Sequence, residues 1–269
     1  MKKRILVIPD VHGRTFWKEP VCKLIESVDK VIFLGDYLDP YGDFVQEDIC
    51  QNLMEIINLK SKYQDKVVLL KGNHDQHYSS IVFHDLAGGT RIDYNYWEKY
   101  HNIFEGNKDL FKLVHMEMVN GIPYIFSHAG LTAYWLDKVN SLLWRLEDSD
   151  ISVANDDIIE MINLLERTRE GQELLSVIGR NRSRRGENTG SILWADVYEH
   201  PIPEAPNMYG LNKVFQVFGH TRLNGDKEDM LKFEHFAMID SQKCIMIDEG
   251  INEPIVTLRD YYFSYLTGQ

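Results

Sequence analysis

Short apolar runs alternate with longer mixed stretches through the first third of the chain, and each run stops at a polar cluster. Residues 4–9 are rich in Ile, Leu and Val and give way to polar residues at 10–13; residues 30–34 and 67–70 repeat the pattern and end in GDYLD and GNHD. Runs of this kind predict buried strands that feed loops. Between them, residues 17–28 and 45–63 carry helical periodicity, as in Ile49, Leu53, Ile56 and Ile57. The alternation predicts an α/β fold with right-handed crossovers and a largely parallel sheet covered by helices, whose polar loops gather at the carboxyl ends of the strands.

Further along, residues 113–119 and 122–126 read as a strand pair joined at Asn120-Gly121, and the second strand delivers SHAG at 127–130. Residues 214–218 deliver GHT at 219–221 in the same way, and 236–239, 245–247 and 255–258 read as successive strands. The interval 133–180 is mostly helical and carries no motif, with acidic positions at Asp148, Asp150, Asp156 and Asp157. It is expected to be a helical cap inserted into a single domain spanning 1–269.

Composition narrows the function classes. With 269 residues, 44% of them hydrophobic, the chain can bury one full core. A formal charge of -12 argues against broad binding to a nucleic-acid backbone. The local basic run of Arg180, Arg182, Arg184 and Arg185 reads by default as a solvated loop. Cys22, Cys50 and Cys244 lie far apart with no C-x-x-C pair, which points to a reducing, cytoplasmic setting. The apolar run after MKKR is broken by Pro9 and Asp10 and is too short for a signal peptide, and nothing approaches the roughly 20 apolar residues of a membrane span.

The chemistry lies in where the polar residues fall. Five times a strand ends in a loop that offers a potential metal ligand: Asp10 with His12, Asp36, Asn73, His128 and His220. Asp, Asn and His without cysteine suit Mn²⁺, Fe²⁺ or Zn²⁺ better than a structural zinc site, with Ni²⁺ able to substitute in vitro. A carboxylate can bridge two such ions at the separation used for in-line displacement at phosphorus, and Asp36 is placed to do so. The ions would lower the pKa of a shared water to make hydroxide and neutralise charge growing on the phosphoryl oxygens. His74, directly after Asn73, is the candidate acid for the leaving group, with Asp39 to orient it.

At this point the chain resembles the calcineurin-like metallophosphoesterases, and within them the phosphoprotein phosphatase branch. The segments that carry the resemblance are PDVHG, GDYLD, KGNHD, FSHAGL, SILWADV and VFGHT, which span residues 9–221 in the family's order. The resemblance implies one metal held by Asp10, His12 and bridging Asp36, a second held by Asp36, Asn73, His128 and His220, and His74 with Asp39 as the acid pair. It also implies two mixed β-sheets packed face to face and flanked by helices, a four-layer α/β/β/α sandwich with the metals at one edge. Arg222 stands where the wider superfamily has a second histidine, as is typical of the phosphoprotein phosphatase branch.

The sequence departs from that branch at Pro40, where protein Ser/Thr phosphatases carry an arginine that grips the substrate phosphate. Arg14, Arg222, and Arg184 and Arg185 of the SRRG run are the candidates to replace it. The expected activity is phosphomonoester hydrolysis on a phosphoprotein or small-molecule substrate. The alternatives are hydrolysis of dinucleoside polyphosphates or other nucleotides, with Tyr37, Tyr41, Trp17 or Trp194 as a stacking surface, and a non-catalytic binding scaffold.

Overall fold

Both faces of the first strand are packed. In β1 (Arg4–Ile8), Leu6 and Ile8 point toward one apolar cluster while Ile5 and Val7 point toward another. Period-two alternation therefore places this strand between two layers, with no side open to water. The computed structural model describes residues 2–80, 91–147, 158–198, 214–223 and 229–267.

The first sheet holds β1, β2 (Lys30–Phe33), β3 (Val67–Leu70), β4 (Phe111–Lys112), β10 (Ile245–Asp248) and β11 (Ile255–Thr257), in the order β11-β10-β1-β2-β3-β4. β1 to β4 run parallel, as the βαβ reading predicts. The sheet is mixed because β10 adds antiparallel to β1, with Arg4 opposite Asp248, and β11 adds antiparallel to β10. The second sheet, ordered β5-β6-β7-β9-β8, contains β5 (Val114–Val119), β6 (Ile122–Ser127), β7 (Phe215–Phe218), β8 (Met230–Lys232) and β9 (Phe236–Ile239). β5 and β6 form the expected hairpin, with Asn120 at φ 49° and Gly121 at φ 77° in its turn.

The sheets pack face to face. Ile5, Val7, Ile32 and Leu34 of the first meet Phe126, Val217, Ala237 and Ile239 of the second in one buried cluster. On the first sheet's other face lie α1 (Lys18–Leu24), α2 (Gln46–Lys62) and α4 (Trp97–Gly106); α2 contributes Ile49, Leu53, Ile56 and Ile57 as its periodicity predicts. The short α3 (Asn73–Ser79) follows β3 and is buried along its whole length. Within 133–180, α5 (Ala133–Glu147), α6 (Ile158–Leu164) and α7 (Arg169–Leu175) turn Trp135, Leu136, Val139 and Ile162 onto Leu113, Val114 and Ile125 at the outer face of the second sheet. The acidic positions Asp148, Asp150, Asp156 and Asp157 lie outside the described residues. A final helix, α8 (Leu258–Thr267), packs Leu258 and Tyr261 into the first sheet's outer cluster. Two mixed sheets between helical layers form the α/β/β/α sandwich that the resemblance implies. No helix among the described residues is long and apolar enough to cross a membrane.

Candidate metal centre and active site

The carboxyl ends of β1, β2, β3, β6 and β7 meet at one edge of the sandwich, and Asp10, His12, Asp36, Asn73, His128 and His220 come together there. All are buried except His220, which is partly so. Backbone bonds tie neighbouring loops of each sheet together at this edge: Gly219 N–H donates to the His128 carbonyl (2.8 Å) beside the second sheet, and His12 N–H to the Asp36 carbonyl (2.6 Å) beside the first.

The site loops take a conformation that side chains avoid. His12, Asp36, Asp39 and His220 have φ of 44°, 53°, 54° and 67°, in the left-handed region that disfavours residues with a Cβ. Strain concentrated on four residues of one pocket, held by the packed sheets beneath, marks a functional site more than a packing compromise. Two glycines complete the cradle. A Cβ on Gly72 would fall on Asp36 Oδ1, and one on Gly219 would lie 2.6 Å from Asp10 Oδ1.

Fixed protons show which atoms face the pocket as acceptors. His12 Nδ1–H donates to the Leu38 carbonyl (2.8 Å) and His128 Nδ1–H to the Leu34 carbonyl (2.9 Å), so each ring turns its Nε2 inward. Asp10 Oδ1 accepts from His220 N–H (3.1 Å) and Asp36 Oδ1 from His74 N–H (2.9 Å). Asp36 Oδ2 is left 3.5 Å from both His12 Nε2 and His128 Nε2. His128 Nε2 also lies 3.0 Å from Asn73 Oδ1 and 3.0 Å from His220 Nδ1, while His220 Nε2 is buried without a partner.

Charges at these positions are unfavourable without a cation. Burial, then the neighbouring Asp10 carboxylate, pushes Asp36 well above the usual carboxylate range. Burial, then His74, lowers His12 to about 4, and burial, then Arg182, holds His220 well below the usual histidine value. Imidazole nitrogens, an amide oxygen and two carboxylates crowding one another match the donor set of a divalent-ion site. Asp10, His12 and Asp36 each offer an atom within 4.8 Å of the others, and so do Asp36, His128 and His220. The residues present fit a pair of ions, with Asp36 belonging to both groups.

The family profile of calcineurin-like phosphoesterases matches residues 3–222. The chain belongs to the calcineurin-like phosphoesterase family. Among solved structures it resembles the cold-active protein-tyrosine phosphatase of a psychrophilic Shewanella species, at 17% identity and a TM-score of 0.53, with 95% of this chain and 80% of that one covered. It also aligns with a protein serine/threonine phosphatase from Saccharomyces cerevisiae, at 17% identity and a TM-score of 0.48, over 95% and 78% of the two chains. At this identity the likeness to the Shewanella phosphatase carries the fold alone. No curated protein sequence matches the chain.

Around the phosphoesterase centre stands a polar layer that the sequence shows only in part. His74 Nδ1 lies 3.0 Å from Asp39 Oδ2, and Tyr78 O–H donates to Asp39 Oδ1 (2.7 Å). Burial, then Arg91, His128 and Arg182, lowers His74 to about 3, and burial raises Asp39 to about 7 against the Tyr78 hydrogen bond. The low-dielectric site resists charge on either partner. Asp75 has no role assigned by motif alone. It sits at the third position of α3 and accepts from the N–H groups of Asp36 (2.7 Å), Tyr37 (2.8 Å) and Gly72 (2.8 Å), so it ties the β2 and β3 loops together. Its place three residues after Gly72, as in a capping box, is the signal that could have revealed it.

The four candidate arginines occupy different positions. Arg14 donates to the carbonyls of His12 (3.2 Å) and Tyr41 (3.2 Å) and lies over the Phe44 ring. Arg184, Arg185 and Arg222 are exposed, Arg222 two residues beyond His220. Two other arginines act on the centre: Arg182, paired with Asp196 of the SILWAD segment (3.1 Å), and Arg91. Arg182 lies in the basic run already noted, whereas Arg91 follows GNHD by 16 positions in a stretch with no motif. Of the aromatics considered for stacking, Trp17, Tyr37 and Trp194 are buried and Tyr41 is 64% exposed.

Proposed function

We propose that the protein is a phosphomonoesterase dependent on two divalent ions, of the Ser/Thr protein phosphatase-like branch and acting in the cytoplasm. Asp10, His12 and Asp36 would hold one ion and Asp36, Asn73, His128 and His220 the other. The observation that carries this reading is the single oxygen Asp36 Oδ2 at 3.5 Å from both His12 Nε2 and His128 Nε2, which sets one carboxylate beside both candidate ligand groups and would let it serve both ions. Manganese, iron or zinc suits these donors. Such ions acidify water and offset charge on phosphoryl oxygens.

The chain's own residues supply the rest. His74, anchored through Nδ1 to Asp39, keeps Nε2 for the leaving-group oxygen, to which it passes a proton. Burial first, then Arg91, His128 and Arg182, disfavours charge on that imidazole. A phosphate dianion between the two arginines and the ring reverses the local sign of charge and favours the imidazolium. Nucleotide or dinucleoside polyphosphate hydrolysis is the second reading, favoured by the exposed ring of Tyr41 near His12 (centroids 6.2 Å).

The test is hydrolysis of an aryl phosphate, phosphopeptides, nucleotides and dinucleoside polyphosphates with Mn²⁺, Zn²⁺, Fe²⁺ or Ni²⁺, with metal content measured in parallel. Asp36→Asn is expected to lose metal and turnover together, and His74→Asn to lose turnover while keeping metal. No turnover with any metal on any substrate would leave the binding-scaffold reading; equal metal loss in both variants would remove the acid role from His74.

A further inference from the structure

Arg91 is a guanidinium beside the proposed phosphoesterase centre, where the Asp36 and Asp39 carboxylates lie within range of its charge. Its Nη2–H donates to the Asp39 carbonyl (2.5 Å), its Nε is buried with no partner, and it makes no ion pair among the described residues. It lies on the Tyr41 ring, 3.4 Å from the centroid. Tyr41 lies edge-on to His12 (6.2 Å) and His12 edge-on to His74 (5.1 Å), so the stack continues the wall of the metal pocket. Its charge reaches His12, Asp36 and His74.

The segment that delivers Arg91 is tied to the same network. Asp93 N–H donates to Tyr78 Oη (3.0 Å), whose own proton goes to Asp39, and Gln46 Nε2–H donates to Asp93 Oδ2 (2.9 Å). A partly buried, unpaired cation is costly, and the cost falls when an anion arrives. Two other arginines near the centre are engaged elsewhere, Arg182 with Asp196 and Arg14 with two carbonyls, and Arg184, Arg185 and Arg222 stand exposed to solvent. The turn from Asp36 to Phe44 carries no basic side chain of its own.

We propose that Arg91 grips the phosphoryl group of the substrate and that Tyr41 holds its guanidinium in place. This rests on the phosphoesterase reading above. The planar guanidinium matches two phosphate oxygens at once, and the ring face fixes its plane. Arg91 is thus a binding residue on the substrate's anion, brought to the centre by a loop far from the metal motifs.

Equilibrium binding of orthophosphate to the metal-loaded protein, by calorimetry, tests this beside KM and kcat on an aryl phosphate. Arg91→Ala is expected to weaken orthophosphate binding and raise KM by roughly 10- to 100-fold, the loss of a charge-assisted pair of hydrogen bonds, with metal content and Tm unchanged. Arg91→Lys should recover only part, because a point charge cannot reproduce the fork. Tyr41→Leu should weaken binding more than Tyr41→Phe, which keeps the ring. Orthophosphate affinity and KM within about twofold of wild type in a metal-replete Arg91→Ala protein would overturn the assignment. A wild-type protein that takes up metal yet neither binds orthophosphate nor turns over any phosphate ester would instead overturn the phosphoesterase reading, and this inference with it.

Discussion

Asp75 touches none of the proposed chemistry, yet its removal should dismantle the site. The carboxylate is fully buried and serves three backbone donors, Asp36, Tyr37 and Gly72, which belong to the loops after β2 and β3. Asp75→Ala leaves three buried N–H groups unsatisfied, each at about 1–3 kcal/mol, so a loss of about 3–6 kcal/mol is expected once partial relaxation is allowed for. That is a large share of the roughly 5–15 kcal/mol by which a domain is stable. Asp75→Asn separates hydrogen bonding from shape. Its remaining oxygen can serve Asp36 and Gly72, both on Oδ2, while its NH₂ faces the Tyr37 N–H donor to donor, so the expected cost is about 1–3 kcal/mol. Urea unfolding of the three proteins, with metal content by elemental analysis, provides the measure. Burial, then the Asp36 charge, pushes Asp75 up to about 8, against the pull of the Gly72 and Tyr37 hydrogen bonds. Its three partners are all donors, and a carboxylate meets them without conflict. If Asp75→Asn unfolds at the wild-type urea midpoint and binds metal normally, the carboxylate is not the organiser argued here.

Gly72→Ala should cut bound divalent metal at least about tenfold, since the new Cβ would collide with Asp36 Oδ1 and lie 2.6 Å from Asp36 N, whereas Gly106→Ala, with nothing within 4 Å, should keep full metal content and gain up to about 1 kcal/mol of stability. Asp36→Asn should be the more stable protein without metal and the less stable one with saturating metal, because it relieves a buried carboxylate pair that only cations compensate; thermal melts with and without chelator show whether the order inverts. Burial pushes Glu117 up, but hydrogen bonds from His115 (2.9 Å) and Lys3 (2.7 Å) outweigh it and hold its pKa down to about 2. A depressed carboxylate stabilises above its unfolded pKa, and that stability drains as pH falls from about 4.5 toward 2. Glu117→Gln should therefore cost about 1–2 kcal/mol at pH 6 and roughly half of that or less at pH 3, and an equal cost at both would refute the linkage.

The strands that the sequence reveals are those buried on both faces. Residues 5–9, 31–34 and 67–70 are apolar at every position because β1, β2 and β3 lie between helices and the second sheet, and composition then marks them without any need of context. β4 has two residues and β8 three, with β8 half-exposed, so neither leaves a pattern long enough to recognise. α3 reads NHDQHYS, wholly buried and almost wholly polar, and its helix follows from hydrogen bonds to its side chains, not from periodicity. The antiparallel addition of β10 to β1 joins Arg4 to Asp248, and no local signal foretells a pairing across that separation.

The site divides along the same line. Metal-ligand candidates could be read because each must sit at the end of a buried strand, where an abrupt change from apolar to polar residues is visible in one dimension. Side chains that act on those residues obey no such rule. Asp75 works through backbone N–H groups of loops 38 and 39 positions away, and Arg91 reaches the Asp39 carbonyl across 52 positions, so spacing carries no trace of either contact. The left-handed backbone at His12, Asp36, Asp39 and His220 joins the two halves of the argument. A loop that must turn its first polar side chain back over the strand end pays in conformational strain, and only partners supplied by the rest of the fold can hold it there. The ligand positions are thus local in sequence, while the contacts that make them a site are global.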